Sequence, residues 1–84
     1  MNNVIMRTLV LTADYQPLAA ARVVGSFVIS TPPSNADDVI FLGDEGADVP
    51  WVPGEWHDFK HVNLAEVKAK GTPGDVVTVV GGTW

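Results

Sequence analysis

At 84 residues the chain has room for one domain, residues 1–84, whose small core is marginal unless other subunits, a metal or disulfides reinforce it. The absence of cysteine excludes disulfides and thiolate-held metals, and a net charge of −5, from ten acids against five Lys and Arg, excludes the basic face that nucleic-acid binding needs. No run reaches the roughly 18 apolar residues of a membrane helix, and Arg7 interrupts the N-terminal apolar stretch, so neither a membrane partner nor a signal peptide is expected.

Fourteen valines and three isoleucines favour strands, because β-branched side chains pack well on a pleated surface. The first predicted strand covers residues 4–12. It is apolar on both faces, with Val4, Met6 and Val10 on one and Ile5, Leu9 and Leu11 on the other. Such a strand is either central in a sheet or covered by another chain. Asp14, Gln16 and Pro17 break it. A second apolar run spans residues 18–30, with a bulge or bend expected at Gly25 that would let it serve two sheets. STPPSNADD, residues 30–38, reads as a loop, and VIFLGD as a buried strand ending in a glycine turn that DEGAD continues.

VPGE (52–55) and TPGD (72–75) share one turn chemistry, with proline second and glycine third, as a type II turn requires. Between them, residues 63–71 are open to two readings. Asn63, Glu66 and Gly71 would cap a short helix. Ala65, Val67 and Ala69 alternate with Glu66, Lys68 and Lys70, the period of a half-buried strand, and a turn at 63–65 followed by a strand is the preferred reading. The last strand is expected over residues 76–80, with Gly81 and Gly82 loosening the chain before Trp84. The sum is an all-β fold, a small β-sandwich or jelly-roll-like barrel of about seven short strands.

HDFKH, residues 57–61, approaches the H-E-x-x-H spacing of zinc hydrolases. On a helix, His57 and His61 would share one face; on a strand they lie about 13 Å apart, at roughly 3.3 Å per residue, too far for one ion. The strand is favoured, because Gly54 would fall inside the helix's first turn and Asp58 stands where the metalloprotease motif has Glu. Asp44, Glu45 and Asp48 lack the order of a calcium loop. Seven of the ten acids fall between Asp37 and Asp58 without a Lys or Arg among them, which makes solvated loops or a patch that docks on a basic neighbour. With no local nucleophile signature either, no enzymatic activity, cofactor or metal is expected. Trp51 and Trp56 bracket the VPGE turn; they and Trp84 either fill the core or anchor an interface.

TLVLTADYQPLAAARVVGSFVIS, followed by DDVIFLGD, VPGE and VKAKGTPGDVVTVV, resembles a loose group of small β-sandwich proteins encoded among the virion genes of tailed bacteriophages. The matching steps are residues 9–12, 16–18, 23–29, 39–44, 53–55 and 71–75, and the resemblance covers roughly residues 8–80. DEGADVPW and its flanking tryptophans depart from the group's pattern. The resemblance implies a virion structural protein, made in the host cytoplasm, without catalytic residues. Together with the marginal core it leads to the expectation of a capsid decoration or cement protein. This would be a homotrimer on the outer capsid surface, with itself and the major capsid protein as partners. Val4, Met6 and Leu9 on the first strand, with Trp51, Trp56 and Trp84, are the expected interface residues. Another virion position (tail, neck or head-fibre base) is the nearest alternative. From a different class comes a carbohydrate-binding sandwich with Trp51, Trp56 and His57 as its sugar platform.

Overall fold

A computed structural model describes residues 3–83. Eight strands occur among them: β1 (Asn3–Val10), β2 (Gln16–Pro17), β3 (Val24–Ser30), β4 (Val39–Leu42), β5 (Asp48–Trp51), β6 (Trp56–Asn63), β7 (Lys68–Lys70) and β8 (Val76–Thr83). They form two antiparallel four-stranded sheets, ordered β1-β8-β3-β6 and β2-β7-β4-β5. The fold is a small β-sandwich, as the valine-rich alternation and the turn spacing led one to expect.

The core lies between the sheets. Phe27, Ile29, Val77 and Val79 face inward from the first sheet and meet Val39, Phe41, Trp51 and Ala69 of the second, with Leu11, Leu18 and Leu64 closing the ends. The valine-rich β8 is central, paired to β1 on one side and β3 on the other.

Both Pro-Gly turns form as the sequence dictates. Gly54 and Gly74 take φ of 89° and 98°, and Glu55 and Asp75 donate their N–H groups to the Val52 and Thr72 carbonyls, each at 3.0 Å. The 63–65 turn is a short 3-10 segment, Leu64–Glu66, whose Asn63 cap accepts from the Ala65 and Val23 N–H groups, both at 3.1 Å, before β7 begins. Two buried polar side chains hold the 30–38 loop. The Asp75 carboxylate accepts from the N–H groups of Ala36 and Asp37 at 2.9 and 3.1 Å, and Asn35 pairs both ways with the Val76 backbone at 2.8 and 3.0 Å.

Four expectations need correction. The 18–30 run is not one strand: residues 18–23 are irregular and β3 begins at Val24 and serves one sheet only. The Gly25 irregularity is present, but the extra residue sits on β6, where Lys60 and His61 oppose Ser26 alone and His61 takes φ of 57°. Gln16–Pro17 does not merely end the first strand; it forms the two-residue edge strand β2.

Gly81 and Gly82 do not loosen the chain either. They extend β8 to Thr83, because β3 and β8 approach too closely there for side chains. A Cβ on Gly81 would overlap the Ser26 carbonyl oxygen and come within 2.8 Å of Phe27 Cα, and one on Gly25 would overlap the Gly82 carbonyl. Gly81→Ala therefore lowers unfolding stability by about 2–3 kcal/mol, measured by urea denaturation. A change under about 0.5 kcal/mol would show that the strands can part at no cost.

Candidate functional site

The feature of this surface that most needs an explanation is the outer face of the β1 sheet. In β1 the alternation sends Ile5, Arg7 and Leu9 toward the second sheet and Val4, Met6, Thr8 and Val10 outward. Val4 and Met6 are each 72% exposed and Val10 59%. Register aligns Met6 with Val80, and Val80 with Val28, so one apolar row crosses three strands. The next row is Thr8, Thr78, Ser30 and Trp56, where the Ser30 and Thr78 hydroxyls bond at 2.5 Å and Trp56 is 62% exposed. Water gains nothing from such a face, and contiguous exposed apolar surface of this kind marks interaction sites in soluble domains.

β1 is also a bare edge. It pairs with β8 on one side only, over eight residues and without proline or bulge. The edges of the second sheet are blunted, and that of β6 in part. β2 is two residues long and contains Pro17, β5 contains Pro50, and β6 is interrupted by a bulge at Lys60 and His61 that leaves residues 56–59 as its regular stretch. Short strands, prolines, bulges and charges are the devices that stop an edge from recruiting another strand. β1 bears only Arg7.

A second feature opens at the opposite flank, between β6 and the β4–β5 hairpin. It is a groove of about 560 Å³. Its floor is aromatic: Trp51 stacks on Phe41 with centroids 3.9 Å apart, lies parallel to Phe59 at 6.3 Å, and meets the His57 ring edge-on at 4.7 Å. Its rim carries Asp44 and Glu66. At the adjoining turn, the Glu55 carboxylate accepts from the Val52 N–H at 3.1 Å and pairs with His57 Nε2 at 2.6 Å. The hydrogen bond to His57 and, less strongly, that from Val52 hold the Glu55 pKa below the ordinary glutamate range. On the outer face of the second sheet, Tyr15 donates to the Asp48 carboxylate, which pushes the phenol up to about 12, while Lys70 sits 4.6 Å above the Tyr15 ring and 3.9 Å from Asp48.

The expected interface residues divide on this framework. Val4, Met6 and Trp56 lie on one exposed face. Leu9 does not join them, because its parity turns it inward to pack on the core; Val10 holds the outward position. Trp51 is not a surface anchor. It is 7% exposed and ties the two sheets together. Trp84 lies outside the described residues. The sugar-platform trio is not brought together, since Trp51 and His57 face between the sheets while Trp56 points away from them. His57 and His61 lie on the bulged strand β6 rather than on a helix, and the described residues hold no cluster of three or more metal-ligating side chains. Val80 and Val28, which complete the apolar row, were missed; their outward direction depends on pairing that no local pattern specifies.

No protein-family model, curated protein or solved structure matches the chain.

The Glu55 pair predicts a pH dependence. A carboxylate with a lowered folded pKa contributes stability in full above the ordinary glutamate range and loses it as pH falls through the folded value. Glu55→Gln should therefore be less stable than the parent at neutral pH, and the difference should shrink as pH falls through the lowered folded value. Parallel urea melts at several pH values check this; a constant difference would remove the pair as its cause.

Proposed function

We propose that this chain is a structural protein of a tailed-phage virion, a capsid decoration or cement protein that binds the outer shell as an oligomer and stabilises it. The observation that carries the reading is the union of a bare edge and a greasy face on one element. β1 offers unpaired backbone donors and acceptors along its free side and Val4, Met6 and Val10 on its outer face. A strand from a neighbouring copy would satisfy the first, and packing of the face on the shell would bury the second. Burial of two or three such side chains is worth about 1.5–3 kcal/mol each, enough to matter for a domain with no disulfides.

Further support comes from the resemblance set out above, whose turn steps all fall at real turns or strands of this fold. The shell-facing surface is then the β1 sheet, with Trp56 at its far edge as a large apolar anchor. The buried Trp51 and the Asn35 and Asp75 clips keep the sandwich stiff, so binding would order little beyond the contacting side chains.

Heads assembled without this protein and then incubated with it are the direct test. The wild-type chain is expected to cosediment with heads and to raise their resistance to heat or chelation. Met6→Lys combined with Val4→Lys should abolish binding while the free protein loses no more than about 0.5 kcal/mol of stability, because both side chains are already exposed. Wild-type protein that ignores heads but copurifies with tails or necks would move the assignment elsewhere in the particle.

A further inference from the structure

The cavities on the two flanks of the β1 sheet are lined by charges of opposite sign. On the β1 flank, Arg7 and Arg22, the chain's only arginines, line one shallow cavity of about 360 Å³ that no carboxylate lines. Among the described residues neither arginine has an ion-pair partner. On the β6 flank, the aromatic-floored groove is rimmed by Asp44 and Glu66, is lined by no Lys or Arg, and has neither acid in an ion pair among the described residues, while Asp58 of β6 aligns with Val28 on the outer face.

Strand direction allows the flanks to meet. Each strand of the β1-β8-β3-β6 sheet is antiparallel to its neighbour, so β1 and β6, three steps apart, are themselves antiparallel. Setting β1 of a second copy beside β6 continues the alternation with no reversal of the molecule. The stretch of β6 ahead of its bulge, residues 56–59, is the part of that edge in regular register and free to pair. In that pairing the inward-facing side chains align, and Arg7 comes to the mouth of the groove above His57 and Phe59. A twofold pairing of β1 with β1 would instead put two arginines in one cleft, and like charges opposed across a sheet are destabilising. Arg7 thus guards its edge against its own kind and admits the flank that offers carboxylates.

The geometry points to a head-to-tail contact between copies of this chain, in which the β1 edge of one pairs with the β6 edge of the next and seats Arg7 in the acid-rimmed groove. This rests on the self-associating reading above and supplies its contact. The two patches differ, so the association is heterologous and propagates from copy to copy, as a ring where the rotation closes and as a filament where it does not. The outward apolar row of Met6, Val80 and Val28 stays on one side of every copy and remains free for a shell.

Charge exchange tests it. Association constants are measured by sedimentation equilibrium for the wild type, Arg7→Glu, Asp44→Arg and the chain carrying both changes. Each single variant is expected to associate at least roughly tenfold more weakly, with association falling as salt rises in the wild type. The double variant, and an equimolar mixture of the two singles, should recover most of the loss. That recovery also shows that the singles are folded. A wild type that stays monomeric at all concentrations, singles that associate normally, or a double variant that fails to recover would each overturn the contact. Head binding by the same variants separates the two readings. Normal association constants with intact head binding would sink the contact alone. A rescued charge exchange in a protein that ignores heads would sink the shell-binding function alone.

Discussion

The close approach of β3 and β8 is the constraint on which the rest depends. β8 supplies Val77 and Val79 to the core and is paired on both sides from Thr78 to Gly82. It can do so because Gly25 and Gly81 carry no Cβ where the backbones nearly touch. With β8 seated between them, β3 is left to pair with β6 and β1 is left with one partner. The open edge and the exposed row that starts at Met6 are therefore consequences of how the sheet closes around two glycine contacts.

The second sheet is held by different means. Its strands are short, two to four residues, and its alignment on the first depends on side chains rather than on ladder length. Trp51 reaches from β5 to the rings of His57 and Phe59 on β6. Thr31, itself buried, donates its hydroxyl to the Val52 carbonyl at 2.8 Å and so pins the VPGE turn, while Asn35 and Asp75 pin the 30–38 loop to the start of β8. No buried side-chain polar atom among the described residues is left without a partner. A domain without disulfides gains its rigidity here from paired polar groups at the loop ends, where leaving a buried donor or acceptor unmade costs most.

That rigidity bears on how the surface can work. A stiff sandwich presents its free edge and its apolar row in a fixed relation, so a partner meets a preformed template and little conformational entropy is lost on contact. Charge then selects among partners. Both arginines line one cavity and the groove at the opposite flank is lined by acids without Lys or Arg, so charge is unevenly placed across the width of the domain.

Several features were legible from residues alone. The all-β class followed from β-branched content and spacing, and both Pro-Gly turns from local φ requirements that only proline and glycine meet without strain. The Asn63 turn was legible because its cap is made within two residues. These are short-range matters, decided by neighbours in the chain. What the sequence left open was decided at long range. Whether Val4 or Ile5 faces water, whether Trp51 or Trp56 is buried, and whether Gly81 ends a strand or continues one all depend on which strand lies alongside and in what register. A period of two says that neighbouring side chains point apart, but only the packed sheets say which direction is inside.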